Sequence, residues 1–169
     1  MKLANRIIIL VIVFIVLSAI LGFASTTTLS PQDASALNSQ ANSIQPTTAA
    51  IFLNNVQISL LEFIPVFGPA FAVYTSYSTG LVFAAIAQSN SAGNISGLES
   101  FFILLITPIY WMEFFSYSLA VEESIAIMIS IKNRDLKIEW KWALVSILVV
   151  ISVLFVSARL EASLVNLLR

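Results

Sequence analysis

Five glutamates carry most of the chemistry this chain has to offer. Glu62, Glu113, Glu122, Glu123 and Glu161 lie in or beside apolar runs, where an ionised carboxylate without a partner is costly. Such residues face a partner, a water-filled cavity or the membrane interface. The chain contains no His and no Cys. That excludes disulfides, thiolate or imidazole metal sites, His-ligated haem and catalysis by either residue. Only Ser, Lys and carboxylates remain for a hydrolytic set, so the sequence reads as a non-enzyme with no cofactor. Glu113, with Glu161, is the candidate intramembrane proton or ion site; Arg159 and Glu62 complete the candidate polar set. The competing reading is structural: a hydrogen bond or salt bridge at these positions that fixes helix packing.

These residues sit in a chain whose composition demands lipid. Of 169 residues, 59% are hydrophobic and 10% charged, and the mean hydropathy is +0.95. A soluble domain of this size leaves about a third of its surface in water and cannot hide that much apolar side chain. A net charge of −1 offers nothing to nucleic acid. The expected fold is all-α: a polytopic transmembrane helix bundle of about five spans.

Residues 1–24 read as an N-terminal anchor, an apolar run from Ile7 to Ala24 preceded by Lys2 and Arg6. Its small-residue end, Gly22-Phe23-Ala24, also resembles a signal-peptide cleavage site. Residues 25–48 are rich in Ser, Thr, Asn and Gln, carry no Lys or Arg, and read as a polar extracytoplasmic loop. The remainder, 49–169, is expected to form a four-helix membrane domain. Its first two helices, 49–64 and 70–87, flank Pro65-Val66-Phe67-Gly68-Pro69, which predicts a hairpin turn. The first arm is at the low end of spanning length, so a re-entrant pair is the alternative. The third helix, 98–131, would be roughly 50 Å long if straight, more than the ~30 Å hydrocarbon core. Pro108 is the expected break. The last span is 142–160.

The break bears on the glutamates. If the long span starts near Ser100, Glu113 lies mid-membrane and Glu122 and Glu123 come within reach of the following basic loop. If it starts near Trp111, Glu113 and Glu161 share one depth and Arg159 becomes a neighbour. The sequence leaves both registers open.

Charge sets the expected orientation. Lys2, Arg6, Lys132, Arg134, Lys137 and Lys141 fall at the N-terminus and in the 132–141 loop, and the outer loops carry no basic residue. With five spans both basic places are cytoplasmic and the C-terminus is outside; the exceptions are Arg159 and Arg169, at and beyond the end of the last span. Trp140 and Trp142 suit an interfacial anchor. The Asn94-Ile95-Ser96 sequon is compatible with an outer loop.

Small residues recur every four positions at Gly68, Ala72, Ser76, Gly80 and Ala84, and again at Ser116, Ala120 and Ser124. Such stripes let helix backbones approach closely in lipid. They serve internal packing or a subunit contact, since both look the same in sequence.

The order of several motifs resembles the stage II sporulation protein M family. Ile51-Phe52-Leu53-Asn54-Asn55 opens a helix, a Gly/Pro break follows, and the next helix carries Gly80. Pro108 with Glu113 five residues later is similar to that family's Pro-His-Gly-x-x-Glu segment, although Ile109 and Tyr110 replace its His and Gly. Ser157-Ala158-Arg159-Leu160-Glu161 is similar to its closing Ala-rich motif. The likeness runs from about Ile51 to Asn166. It implies a small plasma-membrane protein acting with partners, in spore formers within a cell-wall-remodelling machinery. The small-residue stripes, the short loops and the absence of catalytic or redox ligands give the expectation of a scaffold or accessory subunit, with lipid and other membrane subunits or a second copy as partners. A small transporter or permease component using intramembrane glutamates is the alternative.

Overall fold

The computed structural model of the chain describes residues 1–43, 47–89, 96–133 and 136–167. Asn94, Ile95, Arg134 and Arg169 lie outside the described residues, as does the Lys137 side chain. Seven helices and no strand occur among the described residues: α1 (Leu3–Ser25), α2 (Pro31–Ser43), α3 (Thr48–Glu62), α4 (Phe67–Ser89), α5 (Gly97–Ile106), α6 (Pro108–Asn133) and α7 (Leu136–Leu167). The fold is an all-α bundle. Four helices, α1, α4, α6 and α7, are long and apolar enough to cross a membrane. Their outward faces fit that solvent: Ile8, Val11, Ile12 and Ile15 of α1, and Leu144, Val145 and Leu148 of α7, are exposed.

The expected fifth span, 49–64, is the 15-residue α3, roughly 22 Å long and short of the hydrocarbon thickness. It is still the short arm of a hairpin with α4. Its Ile51 packs on Ala158 and Ala162 near the end of α7, while the turn after it meets α6 through Ser124 Oγ, which donates to the Ile64 carbonyl. Arg6 and Glu139 mark one end of the bundle, and Ser25 and Ala162 the other, so the two termini lie at opposite ends.

The hairpin turn is tight. The Phe67 N–H donates to Pro65 O at 2.8 Å and the Gly68 N–H to Ile64 O at 2.7 Å. A Cβ at position 68 would overlap the Glu62 carbonyl oxygen, which is why glycine stands there. Val66, between them, has φ +70°, a left-handed conformation that β-branched residues resist. Its side chain is 71% exposed and contributes little packing. Val66→Gly should therefore raise stability by about 0.5–1 kcal/mol, the relief of strain exceeding the added chain entropy of glycine. A lowered unfolding temperature in detergent would contradict this.

Two differences from the sequence-level expectation have local causes. The 25–48 segment is not wholly loop, because α2 forms within it and packs along α4. Its start is Ser30-Pro31-Gln32-Asp33: the Asp33 N–H donates to Ser30 Oγ at 3.2 Å, Ser30 Oγ–H donates to the Asp33 carboxylate at 2.7 Å, and Pro31 occupies the first helical position. The last helix is also longer than 142–160, running through the Trp140–Trp142 segment from Leu136.

The over-long third segment does break before Pro108. Thr107 is extended, with ψ 138°. Its side chain accepts from the Tyr110 N–H at 3.4 Å and caps α6. The Trp111 indole donates to Leu105 O at 2.9 Å, satisfying a carbonyl that the break frees. At the other end of α5, Ser96 and Glu99 form a reciprocal capping box.

The small stripes are internal. Gly68, Ala72, Ser76, Gly80 and Ala84 are all buried on α4, as are Ser116, Ala120 and Ser124 on α6.

Candidate functional site

Two polar sites lie in the bundle about 14 Å apart along α6. The first surrounds Arg6. Its Nη2 donates to Glu123 Oε2 at 2.8 Å and to Glu139 Oε1 at 2.6 Å, and its Nε lies 3.3 Å from Glu122 Oε1. The terminal ammonium of Met1 is 3.6 Å from Glu139 Oε2. Ser146 donates to Glu123 at 3.0 Å and Ser130 to Glu139 at 3.2 Å. The Trp142 ring lies 5.3 Å from the guanidinium carbon. Arg6 and all three glutamates are buried. The cluster ties α1, α6 and α7 together by charge. The described partners of Glu122 and Glu123 are Arg6 and Ser146, and Glu139 joins them from the 132–141 segment that one of the two registers brought within reach.

The second site is a cavity of about 370 Å³ in the half of the bundle away from Arg6. Glu113 from α6 and Glu161 from α7 both line it. Glu113 Oε1 accepts from Asn55 Nδ2 at 2.7 Å and from Ser157 Oγ at 3.2 Å. Asn55 Oδ1 in turn accepts from Asn54 at 3.2 Å. Across from them, α4 contributes Thr75, Ser76 and Thr79, and α6 adds Tyr110, Phe114 and Tyr117. Asn54 and Thr79 are exposed, so the cavity opens between α3 and α4.

Glu62 sits just behind this wall. It is 1% exposed; its Oε1 lies 3.4 Å from Thr75 Oγ1, whose one proton has the Ala72 carbonyl at 3.1 Å as a nearer acceptor, and its Oε2 has no partner among the described residues. Tyr117 lines the same cavity as Glu113 and Glu161. The four sequence-level candidates thus divide. Glu113 and Glu161 meet at one cavity, Glu62 adjoins it through Thr75, and Arg159 is exposed and forms no ion pair among the described residues. Arg159 points elsewhere because α7 is one continuous helix, and two residues of helix rotate a side chain through about 200°.

Sequence reasoning missed Tyr110, Tyr117 and Thr75 at the cavity, and Arg6 and Glu139 at the charged cluster. A signal existed for the aromatics: Tyr110, Phe114 and Tyr117 recur at helical spacing around Glu113. Arg6 stood in plain view as a charge within the first two turns of α1, but its role as a topology signal was enough to account for it.

What the cavity can do follows from its donors and acceptors. Carboxylates only accept. Thr79 Oγ1 donates to Thr75 O at 2.9 Å, and Thr107 Oγ1 to Leu104 O at 2.7 Å, so both hydroxyls present lone pairs. Among the described residues no Lys or Arg lines the space. It is an acceptor-rich, electronegative cavity inside an apolar bundle, suited to a cation or a hydrogen-bond donor. Among the described residues no group of three or more acidic side chains gathers closely enough to hold a metal ion. Comparison of the chain with known protein families, with curated proteins and with solved structures gives no match.

Proposed function

We propose that the protein is a non-enzymatic plasma-membrane protein that binds a cation inside its helical bundle, as a small transporter or permease component. One observation carries this reading: Glu113 and Glu161 face a common cavity to which no described lysine or arginine contributes. Carboxylates held in a bundle without a counter-charge mark ion or substrate positions in membrane proteins. The N-terminus and the 132–141 segment are assigned to the cytoplasm by their basic residues, which puts the mouth between α3 and α4 toward the outer half. Membership of the stage II sporulation protein M family is part of the same proposal. Asn55, Glu113 and Glu161, which come from the three separate motifs of that resemblance, converge on the cavity.

The test is flux through liposomes containing the purified protein, read as light-scattering changes after jumps in a set of monovalent chloride salts, inorganic and organic. Glu113→Gln keeps the side chain's shape and its acceptor oxygen but removes the charge. It should lower the flux by about tenfold or more, the equivalent of about 1.4 kcal/mol, while helical circular dichroism is retained. Unchanged flux would sink the reading.

A second reading is that of an accessory subunit, binding the cation on behalf of a larger complex. The observation in its favour is the closed core below the cavity: Phe63, Ala72, Ala120 and Val121 are buried between it and the Arg6 end. Purification in mild detergent should then recover stoichiometric partner proteins, and a clean monomer would remove this reading.

A further inference from the structure

The cavity's walls say more about its occupant than its charge does. The α6 wall is aromatic on both sides of Glu113. The Tyr110 and Phe114 rings stack with centroids 4.5 Å apart, and Phe114 meets Tyr117 edge-on at 6.0 Å. Phe83 of α4 lines the same space. Aromatic faces attract cations that have shed water, and they suit organic ammonium groups, whose charge is spread over alkyl hydrogens. A small inorganic cation needs instead several oxygens at close range. Among the described residues no group of three or more acidic side chains gathers to supply such a shell, and the two carboxylates here share their walls with aromatic rings.

Size and hydrogen bonding point the same way. A space of about 370 Å³ lies near the lower end of small-molecule pockets, ~300–1,000 Å³. Thr79 and Thr107 have committed their protons to backbone carbonyls, leaving acceptors for N–H groups. Glu62 Oε2 is a buried oxygen without a partner among the described residues, in a side chain that touches Thr75 of the cavity wall. We propose that the cavity binds a small organic ammonium ion, its charge held by Glu113 and Glu161 and its alkyl part against Tyr110, Phe114 and Tyr117. The assignment rests on the cation-binding reading above and narrows it to a ligand class.

The test is calorimetric titration of the full-length protein in detergent with n-butylammonium and tetramethylammonium chlorides, and with NaCl and CaCl₂ at matched ionic strength. The expected result is saturable binding of at least one ammonium salt, no saturable signal from the inorganic salts, and loss of binding in Glu113→Gln. Tyr117→Leu should weaken ammonium binding by about 3- to 30-fold, while Tyr117→Phe, which keeps the ring, should bind within about 3-fold of the parent chain. If Glu113→Gln fails to fold, the two Tyr117 variants decide. Saturable, Glu113-dependent binding of Na⁺ or Ca²⁺ without ammonium binding would overturn this inference and leave the cation reading standing. Absence of saturable binding by all four salts would overturn both, as would ammonium binding that ignores Glu113 and Tyr117.

Discussion

Replacing Arg6 with glutamine is expected to cost about 3–5 kcal/mol of stability, the usual penalty for removing one member of a buried ion cluster. The guanidinium serves three carboxylates at once, on α6 and α7, from a side chain that is 8% exposed. Without it, Glu122, Glu123 and Glu139 face one another in a space that water barely reaches, with the Met1 ammonium as the remaining ion-pair partner among the described residues. Each then takes up a proton or opens the cluster to water, and both responses cost free energy. Arg6→Lys should recover only part of the loss, since one ammonium cannot reproduce the planar fork that reaches three partners. Adding Glu123→Gln and Glu139→Gln to Arg6→Gln removes the stranded charges and should restore more stability than Lys does. Thermal unfolding in detergent checks the series. A single Arg6→Gln variant as stable as its parent would mean the cluster contributes nothing to the fold.

That cluster also marks where sequence reading runs out. Pro108 and the Pro65–Pro69 run dictate their breaks locally, through a missing N–H and a fixed φ, so both are visible without a structure. The pairing of Arg6 with Glu123 and Glu139 spans 117 and 133 residues, and no local rule connects them. The helix α2 falls between these cases. Ser30-Pro31-Gln32-Asp33 is a sound start signal, but a segment with few apolar side chains gives no periodicity to follow it, and packing along α4 supplies the stability instead.

The cavity was half legible. Glu113 and Glu161 stood out as carboxylates among apolar residues, and one of two possible registers put them at equal depth. The interruption at Thr107 starts α6 at Pro108, close to that second register, and Glu113 then faces Ser157 of α7 rather than the lipid or the basic loop. Arg159 did not follow, because neighbours in sequence on one helix do not share a face. Ser76 shows the limit of a stripe argument. It fits the four-residue pattern of close packing, and it also lines the cavity, so a small residue chosen for helix approach doubles as polar surface.

Gly80→Leu is expected to lower stability by more than about 3 kcal/mol, beyond the usual cost of over-packing, because backbone rather than side chain stands in the way. A Cβ at position 80 would lie 2.5 Å from both Ala24 Cβ and the Leu21 carbonyl oxygen of α1. Neither group can rotate aside, so α1 and α4 must separate along the contact. In lipid no hydrophobic force pulls them back together, since close van der Waals packing is itself the attraction. Gly80→Ala should be milder, about 1–3 kcal/mol, and Ala24→Gly should relieve it only in part, because the Leu21 carbonyl remains. The effect is also expected to couple to Arg6. This helix is held at one end by the charged cluster and at the other by Gly22, Gly80 and Gly97, where a Cβ would strike Phe101, Ala24 and the Ser25 carbonyl respectively. With either end intact α1 stays in the bundle; the Arg6→Gln, Gly80→Leu pair should release it. Limited proteolysis in the Thr26–Ser30 connection, followed by a test of whether α1 stays bound, separates the cases. Retention of α1 by the double variant would show that its middle, Leu17 and Leu21 in the main apolar core, is enough to hold it.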